Sequence, residues 1–317
     1  MSIFDKRINY RPFEYPEVND FVRMINKSYW VHEEVDFSAD VQDFKTKLAQ
    51  TEKEVLKRSL LGIAQIEVAV KTFWGNLYNN FPKPEMNGLG STFAECEYRH
   101  SEAYARLLEV LGYEKEFKKC LEIPVFKKRL DLIQEELNVN KNIVDKTLFF
   151  TLVIENSSLF SQFANILSFS RFKGYMKNVA NIIAWTSTDE QIHAQAGIFL
   201  LNKLKEEGFI SEEKIKSLRE SIIKYLDIEI EFLNWIYAEG ELDFYSKDNI
   251  ISFMKKRIDD SLIQLSIEPI FNITGEQYKP MLWYDEETMA TELDDFFAKR
   301  PVAYTKHDKS ITKNDLF

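Results

Sequence analysis

Apolar residues recur at helical spacing along most of this chain, and two stretches are apolar on nearly every face. From Thr51 to about Phe81, Ile63, Ile66, Val68, Val70, Phe73, Trp74 and Leu77 leave little polar surface, which predicts a helix at the centre of the molecule. Thr51 and Glu54 have the spacing of a capping box at its start, and Pro82 and Pro84 end it. The second stretch follows Asn140, runs to about Phe172 and stops at Gly174. Its apolar part, TLFFTLVIENSSLFSQFANILSF over 147–169, carries Glu155, Asn156, Ser157 and Ser158 at its middle, which favours a buried core helix over a membrane span.

Around these two, the pattern predicts a helix over 93–110 preceded by Gly88 and Gly90 and closed by Gly112, and further helices near 124–137, 176–208, 211–239 and 246–267. Residues 1–35 read as an arm with Pro12 and Pro16 followed by a short helix ending near SYWVHEEVDFS, which contains Trp30. Residues 270–285, with Gly275 and Pro280, read as loop. Residues 1–299 are expected to form a single unit. Past Lys299 the helical stripe ends, and 300–317 reads as a polar tail with an apolar tip, Leu316 and Phe317: a docking peptide or an unstructured end.

Composition narrows the class. Only 10 glycines and 8 prolines among 317 residues, with 45 % apolar and 14 % aromatic content, fit an all-α protein and not a turn-rich sheet protein. A net charge of −10 argues against a nucleic-acid surface. Cys96 and Cys120 are too few for a disulfide framework and too far apart for a dithiol pair, which points to a reducing cytoplasm. The first sixteen residues lack the basic start and apolar run of a signal peptide.

The candidate chemistry lies in two Glu-x-x-His pairs, Glu97 with His100 and Glu190 with His193. On the first helix Tyr104 continues the stripe one turn on. Such pairs also arise by chance, because acids make up 51 of the 317 residues. Two further carboxylates change the weight of the motif. Glu67 is the only acid between Val55 and Phe81, and Glu155 is the only acid in 147–172. A lone carboxylate among apolar residues costs several kcal/mol unless it is paired or holds a cation, and no basic residue occupies these helix centres. Four glutamates and two histidines from four helices are the ligand set of a carboxylate-bridged dimetal site. The set is oxygen-rich and suits iron or manganese; zinc with thiolates is disfavoured because Cys96 lies about 100° round the helix from Glu97. Cys96 then reads as a packing residue, and His32 and His307 as solvent-facing.

The segments IEVAVKTFWG, FAECEYRHSEAY, LVIENSSLF and AWTSTDEQIH resemble those of the small, radical-generating subunit of class I ribonucleotide reductases, and the likeness runs from YWVHEEVDFS to the tail. The resemblance implies a ferritin-like helical homodimer with a dimetal cluster held by Glu67, Glu97, His100, Glu155, Glu190 and His193. It also implies that Trp30 is a radical-transfer tryptophan, that Asp189 links it to His100, that Tyr304 hands the oxidising equivalent to a large subunit, and that the tail docks there. Tyr104 matches the family's radical tyrosine. Many family members have aspartate where this chain has Glu67; glutamate resembles subgroups in which the cluster itself stores the oxidant. A manganese pair is accordingly favoured slightly over an iron or mixed manganese–iron pair, with a flavoprotein as a possible activating partner. The expected activity is that of a ribonucleoside-diphosphate reductase subunit, active only with its large subunit. Two rivals remain: a ferritin-like oxidase acting on a bound small molecule or fatty acid, and a metal-storage protein.

Overall fold

A computed structural model describes residues 2–288, without the side chains of residues 68 and 69. The helices in chain order are α1 (Val18–Lys27), α2 (Ser38–Thr46), α3 (Gln50–Gly75), α4 (Leu77–Asn80), α5 (Pro84–Val110), α6 (Glu114–Lys119), α7 (Pro124–Glu136), α8 (Ile143–Phe149), α9 (Leu159–Lys173), α10 (Lys177–Glu206), α11 (Glu212–Ile236), α12 (Lys247–Gln264) and α13 (Gly275–Tyr278). No strand occurs among the described residues beyond one isolated bridge between Leu242 and Tyr245. The fold is all-α, as the hydrophobic pattern requires.

Four helical stretches form the core. Helix α3 packs on α5, α9 on α10, α3 on α9, and α5 on α10, which closes a four-membered bundle. Helix α1 covers α5 and α10, α11 and α7 pack against α3, and α12 lies over the segment between α8 and α9. The bundle interior is filled by side chains such as Ile63, Ile66, Phe93, Phe150, Phe163 and Ile183, none exposed. Burial of that apolar surface, at about 25 cal/mol per Å², is what holds the helices together.

Several boundaries differ from those the pattern predicts. Helix α3 starts at Gln50, and Glu52, not Glu54, reaches back to accept from the Ala49 amide at 2.7 Å. Thr51 lies inside the helix and donates to the Glu239 carbonyl, while Glu54 pairs with Lys57 and Arg58. Helix α3 also stops at Gly75, and a single turn, α4, fills the space before Pro82. Gly88 and Gly90 do not precede α5 but lie within it, because Pro84 starts that helix at its first turn. A Cβ on Gly90 would stand 2.5 Å from the Trp74 carbonyl oxygen, so the glycine is there for the close approach of α3 and α5. The segment read as loop over 270–285 contains α13, a 3₁₀ turn, Lys279–Met281, whose proline occupies the first turn where no amide hydrogen is needed, and helical backbone from 282 on.

The largest departure is in the second apolar stretch. It is not one regular helix: Phe150–Ser158 between α8 and α9 is π-helical. In a π turn the backbone bonds span one residue more than in an α-helix, and a side chain adds to them here: Asn156 Nδ2 donates to the Thr151 carbonyl at 2.7 Å. Glu155 lies in this segment. Its neighbour α10 is anchored at its start by α2, where the Asp40 carboxylate accepts from the Asn178 and Val179 amides at 2.9 and 3.0 Å.

Candidate metal centre

The bundle brings all six predicted ligand residues together, and every one is fully buried. Helix α3 supplies Glu67, α5 supplies Glu97 and His100, the π-helical segment Glu155, and α10 Glu190 and His193. Their donor atoms fall into two groups, each with all atoms within 4.8 Å of one another: Glu67, Glu97, His100 and Glu190, and Glu97, Glu155, Glu190 and His193. Glu97 and Glu190 belong to both. Each therefore offers one oxygen to either side, which is the geometry of a bridging carboxylate.

The imidazoles mirror this division. His100 Nδ1 lies 3.1 Å from Glu97 Oε2 and 3.0 Å from Glu190 Oε1, and His193 Nδ1 lies 2.8 Å from Glu97 Oε1 and 3.1 Å from Glu190 Oε2. Yet Glu97 Oε1 and Glu190 Oε1 make no hydrogen bond, nor do either oxygen of Glu67 or Oε2 of Glu155. The atoms are close, but several point at a shared space and not at each other. No lysine or arginine among the described residues pairs with these four carboxylates.

Elsewhere the same protein shows what a compensated buried carboxylate looks like. Glu229, also fully buried, takes a two-pronged contact from Arg129 at 2.8 and 3.0 Å, with Tyr225 donating at 2.8 Å. The site carboxylates have nothing comparable. Desolvation drives Glu67 well above the usual carboxylate range, reinforced by the neighbouring Glu97, and drives Glu155 up likewise, reinforced by Glu190 and Glu97. Burial also opposes charge on Glu97, but the facing His193 and His100 imidazoles outweigh it and hold that carboxyl low. Against their own desolvation, both imidazoles are pushed well above their usual range, His193 by the carboxylates Glu97 and Glu190. Two divalent cations would supply the positive charge that the cluster otherwise takes from protons, so the donor set fits a pair of metal ions.

One wall of the site leads outward. His100 Nε2 meets Asp189 Oδ2 at 3.2 Å, and the same oxygen accepts from Trp30 Nε1 at 2.9 Å. Ser28 Oγ holds the other oxygen of Asp189 at 3.1 Å, and the Trp30 ring stacks on the His100 ring with centroids 5.7 Å apart. Trp30 is buried, and Arg99 donates to its carbonyl. Tyr104 is buried one turn beyond His100, ring centroids 6.5 Å apart, with its hydroxyl beside Thr186 and its pKa raised by desolvation and by Glu67. Tyr304, His307 and the tail 300–317 lie outside the described residues.

Three features escaped the sequence reading. Cys96 is more than a packing residue: its Sγ lies 3.4 Å from Asp189 Oδ2 and 3.5 Å from His100 Nε2. Its place one turn before His100 was the available signal. Trp74 donates to Glu155 Oε1 at 2.8 Å, and its spacing of seven from Glu67 puts both on one stripe of α3. His32 is mostly covered and sits 3.4 Å from Glu33, because the turn that carries it folds against α5 instead of facing solvent.

Helices that cradle paired carboxylates and imidazoles define a ferritin-like bundle with a dimetal-type ligand cluster. The family model for the ribonucleotide reductase small chain matches residues 7–280. The chain is 26 % identical to the probable ribonucleoside-diphosphate reductase small subunit 376L of Invertebrate iridescent virus 6, over all of this chain and 99 % of that one. Among solved structures, the dimanganese(II)-NrdF of Streptococcus sanguinis shares the fold at a TM-score of 0.77 and 16 % identity, covering 91 % of this chain and 99 % of that one. The Rnr4 homodimer of Saccharomyces cerevisiae superimposes at 0.72 with 18 % identity, covering 89 % and 90 %. The chain belongs to the ribonucleotide reductase small-chain family and serves as the small subunit of a ribonucleoside-diphosphate reductase, an oxidoreductase. No helix among the described residues is long and apolar enough to cross a membrane.

Proposed function

We propose that these six residues would hold a pair of metal ions, with Glu67 and His100 on one side, Glu155 and His193 on the other, and Glu97 and Glu190 within reach of both. The observation that carries this reading is the pair of overlapping donor groups sharing those two glutamates, in a pocket without a compensating lysine or arginine. The oxygen-rich donors suit iron and manganese alike; glutamate at position 67 slightly favours manganese over iron or a mixed pair. Once bound, the pair supplies a one-electron oxidant for ribonucleotide reduction.

The protein's own residues then do three things. The bundle core excludes water from the site through Phe93, Phe150 and Ile66, all fully buried. Asp189 fixes which His100 nitrogen carries the proton, leaving Nδ1 free to ligate. Asp189 also joins His100 to Trp30, so the path for the oxidising equivalent runs His100, Asp189, Trp30 and then Tyr304 in the tail. Residues 1–299 form the metal-binding unit, and 300–317 dock the large subunit. A homodimer, an activating flavoprotein and a cytoplasmic location complete the proposal. Tyr104, buried one turn from His100, serves as the radical holder only if the metals do not keep the oxidant themselves.

Electron paramagnetic resonance on protein loaded separately with manganese and with iron tests this reading. Two metals per chain with a spin-coupled signal are expected; one or none would overturn the ligand assignment. A sharp tyrosyl signal would put the oxidant on Tyr104, and its absence beside a coupled manganese signal would put it on the metals. Removing everything after Lys299 should abolish turnover with the large subunit while metal content stays at two. Retained turnover would favour a stand-alone oxidase.

A further inference from the structure

The π-helical segment gives the site its only ligand from irregular backbone, and one side chain outside the bundle holds that segment in place. Arg257 on α12 donates through Nε to the Asn156 carbonyl at 2.5 Å and through an Nη to Gln191 Oε1 at 3.2 Å. Asn156 directly follows Glu155, and Gln191 directly follows Glu190. A single guanidinium therefore ties together the two residues next to one terminal ligand and one bridging ligand, on elements that share no covalent link for more than thirty positions. The guanidinium lies over Phe160, at the start of α9, with its carbon 3.4 Å from the ring centroid, and it also faces Phe253 at 5.6 Å.

We infer that Arg257 is a positioning residue for the dimetal centre: it holds the π-helical turn open at Asn156 and sets the separation of Glu155 from Glu190. At this rare turn the Asn156 carbonyl accepts from a charged donor, a stronger bond than a neutral one. The planar fork of arginine allows one group to reach two acceptors in different directions while stacking on an aromatic face; neither lysine nor glutamine does all three. If the segment relaxed to regular α-helix, Glu155 would rotate about the axis and leave the His193 side of the site. The six ligands themselves would be intact in sequence but one would no longer converge.

The inference rests on the two-metal reading, and the test separates the two. Full-length wild-type protein, Arg257→Gln, Arg257→Lys and Gln191→Leu are stripped with chelator and titrated with manganese alone. Bound metal and the paramagnetic resonance spectrum are followed, with helix content checked by circular dichroism. Wild type should take two ions with a coupled signal; if it does not, the ligand assignment fails and this inference falls with it. Arg257→Gln should keep one tight ion and bind the second at least about tenfold more weakly, showing a six-line uncoupled signal at one ion per chain. Arg257→Lys should fall between, and Gln191→Leu, which removes only one of the two ties, should show a smaller loss in the same direction. If wild type binds two ions and Arg257→Gln binds both with unchanged affinity and an unchanged coupled spectrum, the inference is overturned. Should Arg257→Gln lose helix content, Gln191→Leu decides: wild-type affinity for the second ion in that folded variant overturns it equally.

Discussion

Gly197 lies one turn beyond His193 on α10 and faces Thr151 in the π-helical segment. A Cβ at that position would stand 2.4 Å from Thr151 Oγ1 and 2.6 Å from its Cγ2. Non-bonded carbons settle at about 3.5–4.0 Å, so Gly197→Ala must part the two elements by roughly 1 Å or distort one of them. Alanine favours a helix over glycine by about 1 kcal/mol, whereas overpacking a close-packed core costs about 1–3 kcal/mol. Thr151 is β-branched and cannot swing freely away in a helix, which puts the cost toward the upper end. The expected result is a net loss of up to about 2 kcal/mol where propensity alone would give a gain. The assay is denaturant unfolding of metal-free full-length protein as Gly197→Ala, Thr151→Ala and the double variant. Thr151→Ala removes the two clashing atoms, and its hydroxyl has no hydrogen-bond partner to lose. The double variant should recover most of the loss, with a coupling of about 1–2 kcal/mol. The same wedge opens the 4.0 Å between His193 Nδ1 and Glu155 Oε2, so the second manganese should bind more weakly. Gly197→Ala more stable than wild type by the full propensity term, or coupling indistinguishable from zero, would refute the reasoning.

Asp189→Asn keeps an oxygen for Trp30 but loses the charge that orients His100; turnover with the large subunit should fall about 10–100-fold while the protein still binds two metals. Loss of both metals instead would make Asp189 a part of the ligand scaffold. Arg129→Met strands Glu229 in the core and should cost about 3–5 kcal/mol in thermal or denaturant unfolding, largely recovered when Glu229→Leu is added. Manganese at a hundred times its dissociation constant should stabilise the protein by about 2.7 kcal/mol per independent site, read as a rise in Tm that chelator reverses. Glu155→Ala should lower metal stoichiometry below two; an unchanged count would remove Glu155 from the ligand set.

Much of the site could be read before folding. Glu67 and Glu155 stand out because each is the sole acid in a long apolar stretch, 55–81 and 147–172, and a buried charge without a partner demands a cation. The Glu-x-x-His pairs follow from the helical repeat, which puts residues three apart on one face. Trp30 and Asp189 were reached only through resemblance, since 159 positions separate them and no local periodicity links such residues. Glycine spacing misled at Gly90, where the missing side chain serves a helix crossing and not a helix start.

Sequence by itself thus determined the all-α class, the four core helical stretches and the six candidate ligands, because apolar patterning and helical periodicity are local properties of a chain. Tertiary structure alone decided that Glu97 and Glu190 are shared between two donor groups, since sharing depends on how α5 and α10 face each other. It also decided that Cys96 and Trp74 touch the site and that Phe150–Ser158 takes the π form. A π turn is unfavourable in isolation and persists only where neighbours such as Asn156 and Arg257 satisfy the carbonyls it exposes. Asn156 lies in the segment itself, but Arg257 comes from the packed fold, 101 residues away along the chain.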